Sequence, residues 1–318
     1  MIVSLAPMEG LTTVYYRQAL ARWFGGVDRW FTPFLTPTQD HRFTKRELRE
    51  VLPEQNGALP TVPQLLTRSA DDFLWAAGEL AAMGYREVNL NLGCPSGTVV
   101  AKGKGSGFLA HPEELDIFLD KICSGAPCAI SVKTRIGLTD PAEFPALLAI
   151  YRKYPLAELI VHPRVRTDMY KNTPRWDCFG AALEGSPFPV CYNGDLYTPG
   201  DAAALLAAFP GTERLMLGRG LAGDPALARR LKGGPAACRS ELEGFVDQVY
   251  ESYAQAFDSR RNAMLRMKEV WFYLIHLFQG GEKLSKRIKK ARDPLDYEGA
   301  VRAVFQELEL SPVLRPDW

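Results

Sequence analysis

Short runs of apolar and β-branched residues recur along the first two thirds of the chain. They cover 2–6, 29–32, 62–66, 87–92, 128–133, 158–162, 189–192 and 213–217. Between them, apolar positions fall at helical spacing over 70–83, 112–123, 142–153 and 200–208. Alternation of strand and helix predicts parallel βαβ units. Eight such units in about 235 residues predict a closed (β/α)8 TIM barrel, an α/β fold, over an open doubly wound sheet. The first strand-to-helix loop lacks the G-x-G-x-x-G of a dinucleotide fold, which points the same way. The repeat stops at Gly233-Gly234-Pro235, a break signal. Beyond it only helical periodicity appears, over 239–258, 261–279 and 295–308. The expected organisation is therefore a barrel over 1–235 and a smaller all-helical domain over 236–318. The charged segment 34–60 is too long for an ordinary loop and is expected to pass over the top of the barrel.

Composition narrows the setting. With 47% hydrophobic and 24% charged residues, a chain of 318 residues can bury a core without disulfide or metal staples. Six cysteines form no C-x-x-C pair and the four histidines lie far apart, so no metal site is expected. Scattered cysteines in a chain this size read as reduced and cytoplasmic. The first residues, Met-Ile-Val-Ser-Leu-Ala-Pro, carry no basic stretch and no signal-like apolar run. Nowhere do about 18 apolar residues follow one another, so no membrane span is expected. A net charge of +1 means that contact with nucleic acid has to come from a local patch.

In a parallel barrel, chemistry sits on the loops after the C-terminal ends of the strands. Polar residues gather at those ends: Met8-Glu9-Gly10 after strand one, Gln64 on strand three, and Asn89, Asn91, Gly93, Cys94 and Ser96 on and after strand four. Lys133 and Arg135 follow on strand five, His162 and Arg164 on strand six, Asn193-Gly194-Asp195 after strand seven and Gly218-Arg219-Gly220 after strand eight. The last group suits a phosphate, because barrels often hold one there and an arginine can meet it with two parallel bonds. Cys94 opens the run GCPSGTVVAKGKGSGFL over 93–109, whose five glycines and two lysines are expected to form a flexible, closable loop. An unperturbed thiol titrates near 8.5, so at neutral pH it can donate a proton. The other five cysteines read as small core residues.

The order of these motifs resembles the tRNA-dihydrouridine synthase family. The resemblance is carried by Ala6-Pro-Met-Glu-Gly10, Asn89-Leu-Asn-Leu-Gly-Cys-Pro-Ser96 with the glycine-rich run to Leu109, Ser131-Val-Lys-Thr-Arg135, Val161-His162, Asn193-Gly-Asp195 and Leu217-Gly-Arg-Gly220. It implies a bound FMN, NADPH as reductant, and reduction of the C5–C6 bond of a uridine in the tRNA D-loop. It further implies that Pro7, Met8 and Glu9 line the flavin and that Gln64, Lys133 and His162 contact its ring. Asn193, Gly194, Asp195, Gly218 and Arg219 would hold the ribityl chain and phosphate. Cys94 would protonate C5 after hydride reaches C6 from flavin N5. Asn89, Asn91, Arg135 and Arg164 are then candidates for the substrate.

The chain departs from that pattern at Gly97, where a basic residue is usual, at Phe31-Thr-Pro33-Phe34, and at Pro163-Arg-Val-Arg166. These changes surround the expected substrate mouth, while the flavin set is nearly intact. Lys283, Lys286, Arg287, Lys289, Lys290 and Arg292 form a basic run in the helical domain, of which Lys286, Arg287 and Lys290 are taken as an RNA phosphate grip. Lys102, Lys104, Arg164, Arg166, Lys171 and Arg175 could add a second basic border. A monomer is expected. Two other functions share parts of this pattern. An FMN barrel enzyme acting on a small alkene or pyrimidine needs no basic helical domain. A non-catalytic RNA-binding relative needs neither Cys94 nor Lys133.

Overall fold

The computed structural model describes residues 1–57 and 59–311; the last seven residues of the expected helical domain, 312–318, lie outside them. Nine strands form one sheet: β1 (Ile2–Leu5), β2 (Arg29–Phe31), β3 (Thr61–Val62), β4 (Gln64–Leu65), β5 (Glu87–Leu92), β6 (Ala129–Arg135), β7 (Glu158–His162), β8 (Val190–Tyr192) and β9 (Arg214–Leu217). Their order is β3-β2-β1-β9-β8-β7-β6-β5-β4. The two ends of that order, β3 and β4, are separated only by Pro63. Proline has no N–H to give a ladder, so the expected third strand breaks there. Its first half pairs in parallel with β2, Trp30 opposite Thr61, and its second with β5, Gln64 opposite Asn89. A bridge between Leu35 and Leu65 carries the pairing past the break. The sheet thus closes on itself as an eight-unit barrel, with one unit cut in two.

Inside, Ala6, Phe31, Val62, Ile160, Cys191 and Met216 meet as one apolar cluster, each on or next to a different strand. At the strand starts, Arg29 donates to Glu158 at 2.5 Å and to both Glu87 carboxylate oxygens at 2.6 Å, and Arg214 donates to Glu158 at 3.2 Å. Glu158 is fully buried. Burial pushes its carboxyl up, and the two guanidiniums oppose that. Removing one member of a buried pair leaves an uncompensated charge. Arg29→Met is therefore expected to lower stability by about 3 kcal/mol. Urea unfolding checks this; a loss within a few tenths of a kcal/mol would show the cluster to be solvated.

The chain groups into two compact units. The first holds Met1–Pro7, Asp28–Gly194 and Leu206–Met216; the second holds Met8–Val27, Asp195–Leu205 and the chain from Leu217 onward. In the first, the segment 34–60 contains the helix Lys45–Val51, started by a capping box between Thr44 and Glu47. His41 stacks on Trp75 of the helix Ala70–Ala82 at 5.1 Å.

In the second unit, the helix Val14–Trp23 packs on Arg239–Phe257. Tyr16 and Phe24 both meet Phe245 edge-on, and a Cβ at Gly244 would lie 2.2 Å from the Trp23 ring. The expected helix over 261–279 ends at Leu274 and turns through Ile275–Leu277, where Phe278 bridges back to Leu310. The helices Glu282–Lys290 and Pro294–Glu307 follow. Among the described residues, no helix is long and apolar enough to cross a membrane.

Candidate active site

In the first unit, strand alternation sends Asn89, Asn91, Ser131, Lys133 and Arg135 to the same side of β5 and β6, and register places Asn89 opposite Ser131 and Asn91 opposite Lys133. Gln64 joins them from β4. It donates to Asn89 Oδ1 at 2.8 Å and accepts from Asn91 Nδ2 at 2.7 Å, while Asn89 Nδ2 donates to Ser131 Oγ at 2.9 Å. Asn91 Oδ1 in turn accepts the backbone N–H groups of Gly93 and Cys94 at 3.0 and 2.9 Å. Buried amides are costly unless paired, so this chain fixes Gln64 and the turn that carries Cys94. Asn89 is fully buried with both amide ends occupied, so it supports Gln64 where the sequence suggested a substrate contact.

Cys94 is half-buried, and all six cysteines are thiols. The glycine-rich run behind it is not the open loop expected. It folds into a helical turn, Gly97–Val100, and a 3-10 segment, Gly105–Ala110, whose residues through Leu109 are buried. Ser106 donates both its N–H and its hydroxyl to the Cys94 carbonyl, at 3.1 and 2.7 Å. Gly105 has φ +57°, and a Cβ there would lie 2.9 Å from the Cys94 carbonyl oxygen; one on Gly107 would lie 2.8 Å from the Val100 oxygen. These glycines allow close packing around Cys94 and hold it in place.

Lys133 is half-buried, and burial pulls its ammonium down to about 8, with the Arg135 charge adding to the effect and Cys191 and Cys94 opposing it. Arg135 is buried. Its three nitrogens donate to the carbonyls of Gly93, Val165 and Met169 at 3.0, 2.9 and 2.7 Å. Arg164 is buried too, donating to the carbonyls of Lys171 and Asn172 and lying 3.3 Å from His162 Nε2. Both arginines, taken from sequence as substrate contacts, are occupied in shaping the loop 163–175.

Asp168 braces the same loop by accepting from Val165, Asn172 and Arg175; burial works against its charge, but the Arg175 and Asn172 bonds hold the carboxyl below its ordinary range. The loop bends through two left-handed residues, Met169 and Asn172, and leaves Met169 and Tyr170 exposed. Tyr170 lies 6.2 Å from the His162 ring and 5.4 Å from the Arg135 guanidinium. Ser106, Asp168 and Tyr170 were not singled out from sequence, and Ser131 stood there only as the start of a motif, without a role. An aromatic residue inside the basic stretch 164–175 was the one signal present.

Just after β8, Asn193 donates to the Met216 carbonyl at 2.9 Å, and a Cβ on Gly194 would meet Tyr192 Oη at 2.9 Å. Pro7, two residues after β1, is the last residue of the first unit's opening segment.

In the second unit, Met8 is locked into a turn by Thr12, which accepts its N–H at 2.8 Å; Glu9 is exposed. Asp195 and Arg219, both expected at a phosphate, pair with each other at 2.8 Å. Tyr197 also donates to Asp195, and its ring lies 5.5 Å from the Arg219 guanidinium. Gly218 precedes the short helix Arg219–Gly223, in which a Cβ on Gly220 would lie 1.9 Å from the Leu196 carbonyl oxygen. Lys286, Arg287 and Lys290 occupy the exposed face of Glu282–Lys290, whose Leu284 and Ile288 are buried one turn apart.

Known proteins bear on this arrangement. The family model described as "Dihydrouridine synthase (Dus)" matches residues 4–308. A Cupriavidus necator protein named tRNA-dihydrouridine(16) synthase is 30% identical over 310 residues, covering 92% of this chain and 94% of its own. One of the same name from Ralstonia nicotianae is 31% identical over 246 residues, 75% of each chain. Among solved structures, morphinone reductase superposes with a TM-score of 0.53 at 13% identity, covering 77% of this chain and 88% of its own, a likeness of fold. Matched over nearly its whole length, the chain belongs to the dihydrouridine synthase family, the flavin-dependent tRNA-modifying oxidoreductases that its strand-end motifs resemble.

Proposed function

We propose that the protein reduces a uridine in the D-loop of tRNA to dihydrouridine, with FMN as its flavin and NADPH as the reductant. The observation that carries this reading is Cys94, tethered by Asn91 and Ser106 beside a rim bearing Gln64 and Lys133. The position is taken as 16, from the names of the two relatives.

The donor set suits a flavin. Gln64, buried and bonded at both ends of its amide, keeps only its second Nε2–H for the ring, and Lys133 offers a cation next to which a reduced, anionic ring is stabilised. His162 follows at the end of β7, Asn193 and Gly194 come just after β8, and Pro7 comes two residues after β1. In the second unit Met8, Glu9 and Asp195 take flavin roles by resemblance, with Gly218 and Arg219 serving the phosphate. When bound, FMN supplies the hydride for C6 of the uracil. Lys133 holds its proton and its charge at Nζ. Cys94 delivers the proton to C5 from Sγ and recovers one from solvent. Asn91 fixes the Cys94 backbone, so the thiol keeps its place as the base leaves its stack and enters the barrel mouth. Tyr170, exposed beside His162, offers an aromatic face to the RNA.

We assign residues 236–318 to tRNA binding, through the exposed cations of Glu282–Lys290, and take the protein to act as a cytoplasmic monomer. Changing Lys286, Arg287 and Lys290 together to Glu is expected to weaken tRNA binding at least roughly tenfold and to reduce its salt slope by about three. An unchanged slope would remove these residues from the interface. Purified protein given NADPH and an unmodified tRNA transcript tests the reaction itself. Dihydrouridine is expected in the product. Turnover of small enoates with none on the transcript would favour a small-molecule enzyme instead.

A further inference from the structure

In the first unit an open cavity of about 420 Å³ borders the glycine-rich run that follows Cys94. Arg68, Lys102 and His111 supply its polar lining, with Val100, Gly107 and Leu138 among the rest. The glycine-rich run that borders the cavity through Gly103 and Gly107 also packs on Cys94, through Gly105. Gly105 packs on Cys94, while Gly103, two residues earlier, packs on the Arg68 guanidinium, where a Cβ would lie 2.5 Å from Nη1. Chain geometry then limits the Arg68 guanidinium to about 16 Å from the Cys94 Cβ.

Arg68 is poised rather than buried. Its guanidinium rests 5.7 Å from the Phe108 ring, and it pairs at 2.5 Å with Glu114, whose other oxygen lies 3.8 Å from His111 Nδ1. Arg68 and Glu114 side chains are 40% and 54% exposed, and an ion pair so open to water contributes little, so an incoming anion can displace the carboxylate. Lys104 lies beside the cavity lining; burial lowers its ammonium and the Lys102 charge adds to that, against the pull of Asp72. Positive charge therefore converges on a concave site whose Arg68 lies within about 16 Å of the Cys94 Cβ.

We propose that this cavity is a phosphate subsite for the RNA backbone, taking a phosphodiester a nucleotide or two from the uridine at Cys94, with Glu114 as the resident anion that the phosphate displaces. The subsite rests on the tRNA reading above. It positions the strand without reading a base, since phosphate contacts carry no sequence information. A nucleotide phosphate could also come from NADPH, and the test separates the two sources.

The experiment uses the full-length flavoprotein, an unmodified tRNA transcript and NADPH, with flavin content and melting temperature confirming that each variant folds. Arg68→Ala with Lys102→Ala is expected to weaken transcript binding roughly tenfold and to flatten its salt dependence by about two. Glu114→Gln is expected to tighten binding about two- to threefold, a gain that a merely structural glutamate would not give. Transcript affinity unchanged in both variants, while the wild type makes dihydrouridine, would overturn the subsite and leave the enzyme reading standing. A raised KM for NADPH with unchanged transcript affinity would assign the cavity to the dinucleotide and overturn it equally. A wild type that makes no dihydrouridine from the transcript would defeat the underlying reading instead.

Discussion

Cys94→Ala is expected to retain its flavin and to accept electrons from NADPH, yet to lose uridine reduction by about 10² to 10⁴, the range a positioned general acid contributes. The expectation follows from how the thiol is held. Asn91 receives its backbone N–H, Ser106 donates twice to its carbonyl, and Gly105 packs against its Cβ. These contacts engage the backbone and the Cβ, which alanine keeps, so the turn stays while the thiol proton is lost. Single-turnover mixing of NADPH-reduced protein with unmodified tRNA separates the steps. Flavin reduction at the wild-type rate followed by stalled reoxidation is the expected trace. Reoxidation at the wild-type rate would remove Cys94 from the chemistry.

Lys133→Met is expected to produce the second large effect, slowing NADPH-driven flavin reduction roughly a hundredfold. A unit charge about 4 Å from an anion contributes about 4 kcal/mol at an effective dielectric constant near 20, and less at greater distance. The pH dependence gives the sign. The ammonium ordinarily titrates near 10.5, and burial draws it down to about 8 in the flavin-free protein. Its charge is present below that value and is lost as pH rises through it. FMN affinity of wild-type apoprotein should therefore fall as pH climbs past 8, while that of the Met variant should stay level over the same interval. Parallel profiles for the two proteins would show that another group carries the dependence.

Much of the fold was legible because parallel barrel strands announce themselves as short apolar runs at regular spacing. The exception was 62–66, where Pro63 divides one expected strand between two partners. The site was legible as a set of residues but less so as a set of roles. A polar residue at a strand end can face a substrate or satisfy the loops around it, and its sequence neighbours do not say which. Arg135 reaches Val165 and Met169, 30 and 34 residues on, so its occupation became visible only in three dimensions. Asp195 and Arg219 are expected to hold the ribityl chain and phosphate, and that they also pair with each other, across 24 residues, could not be read from either motif. The run 93–109 was misread differently. Glycine signals both flexibility and close approach, and Gly105 and Gly107 serve the second. Of the cavity beside Arg68, only Lys102 was legible, as part of the second basic border; Arg68 and His111 join it from other segments of the chain.

Mapping dihydrouridine in cellular tRNA tests most directly which base the Cys94 rim serves. Mass analysis of tRNA from cells with and without this gene should show dihydrouridine missing at one D-loop position, expected at 16, and restored by the wild-type gene but not by Cys94→Ala. An unchanged dihydrouridine map in cells lacking the gene, with the protein normally expressed in the parent cells, would contradict the assignment.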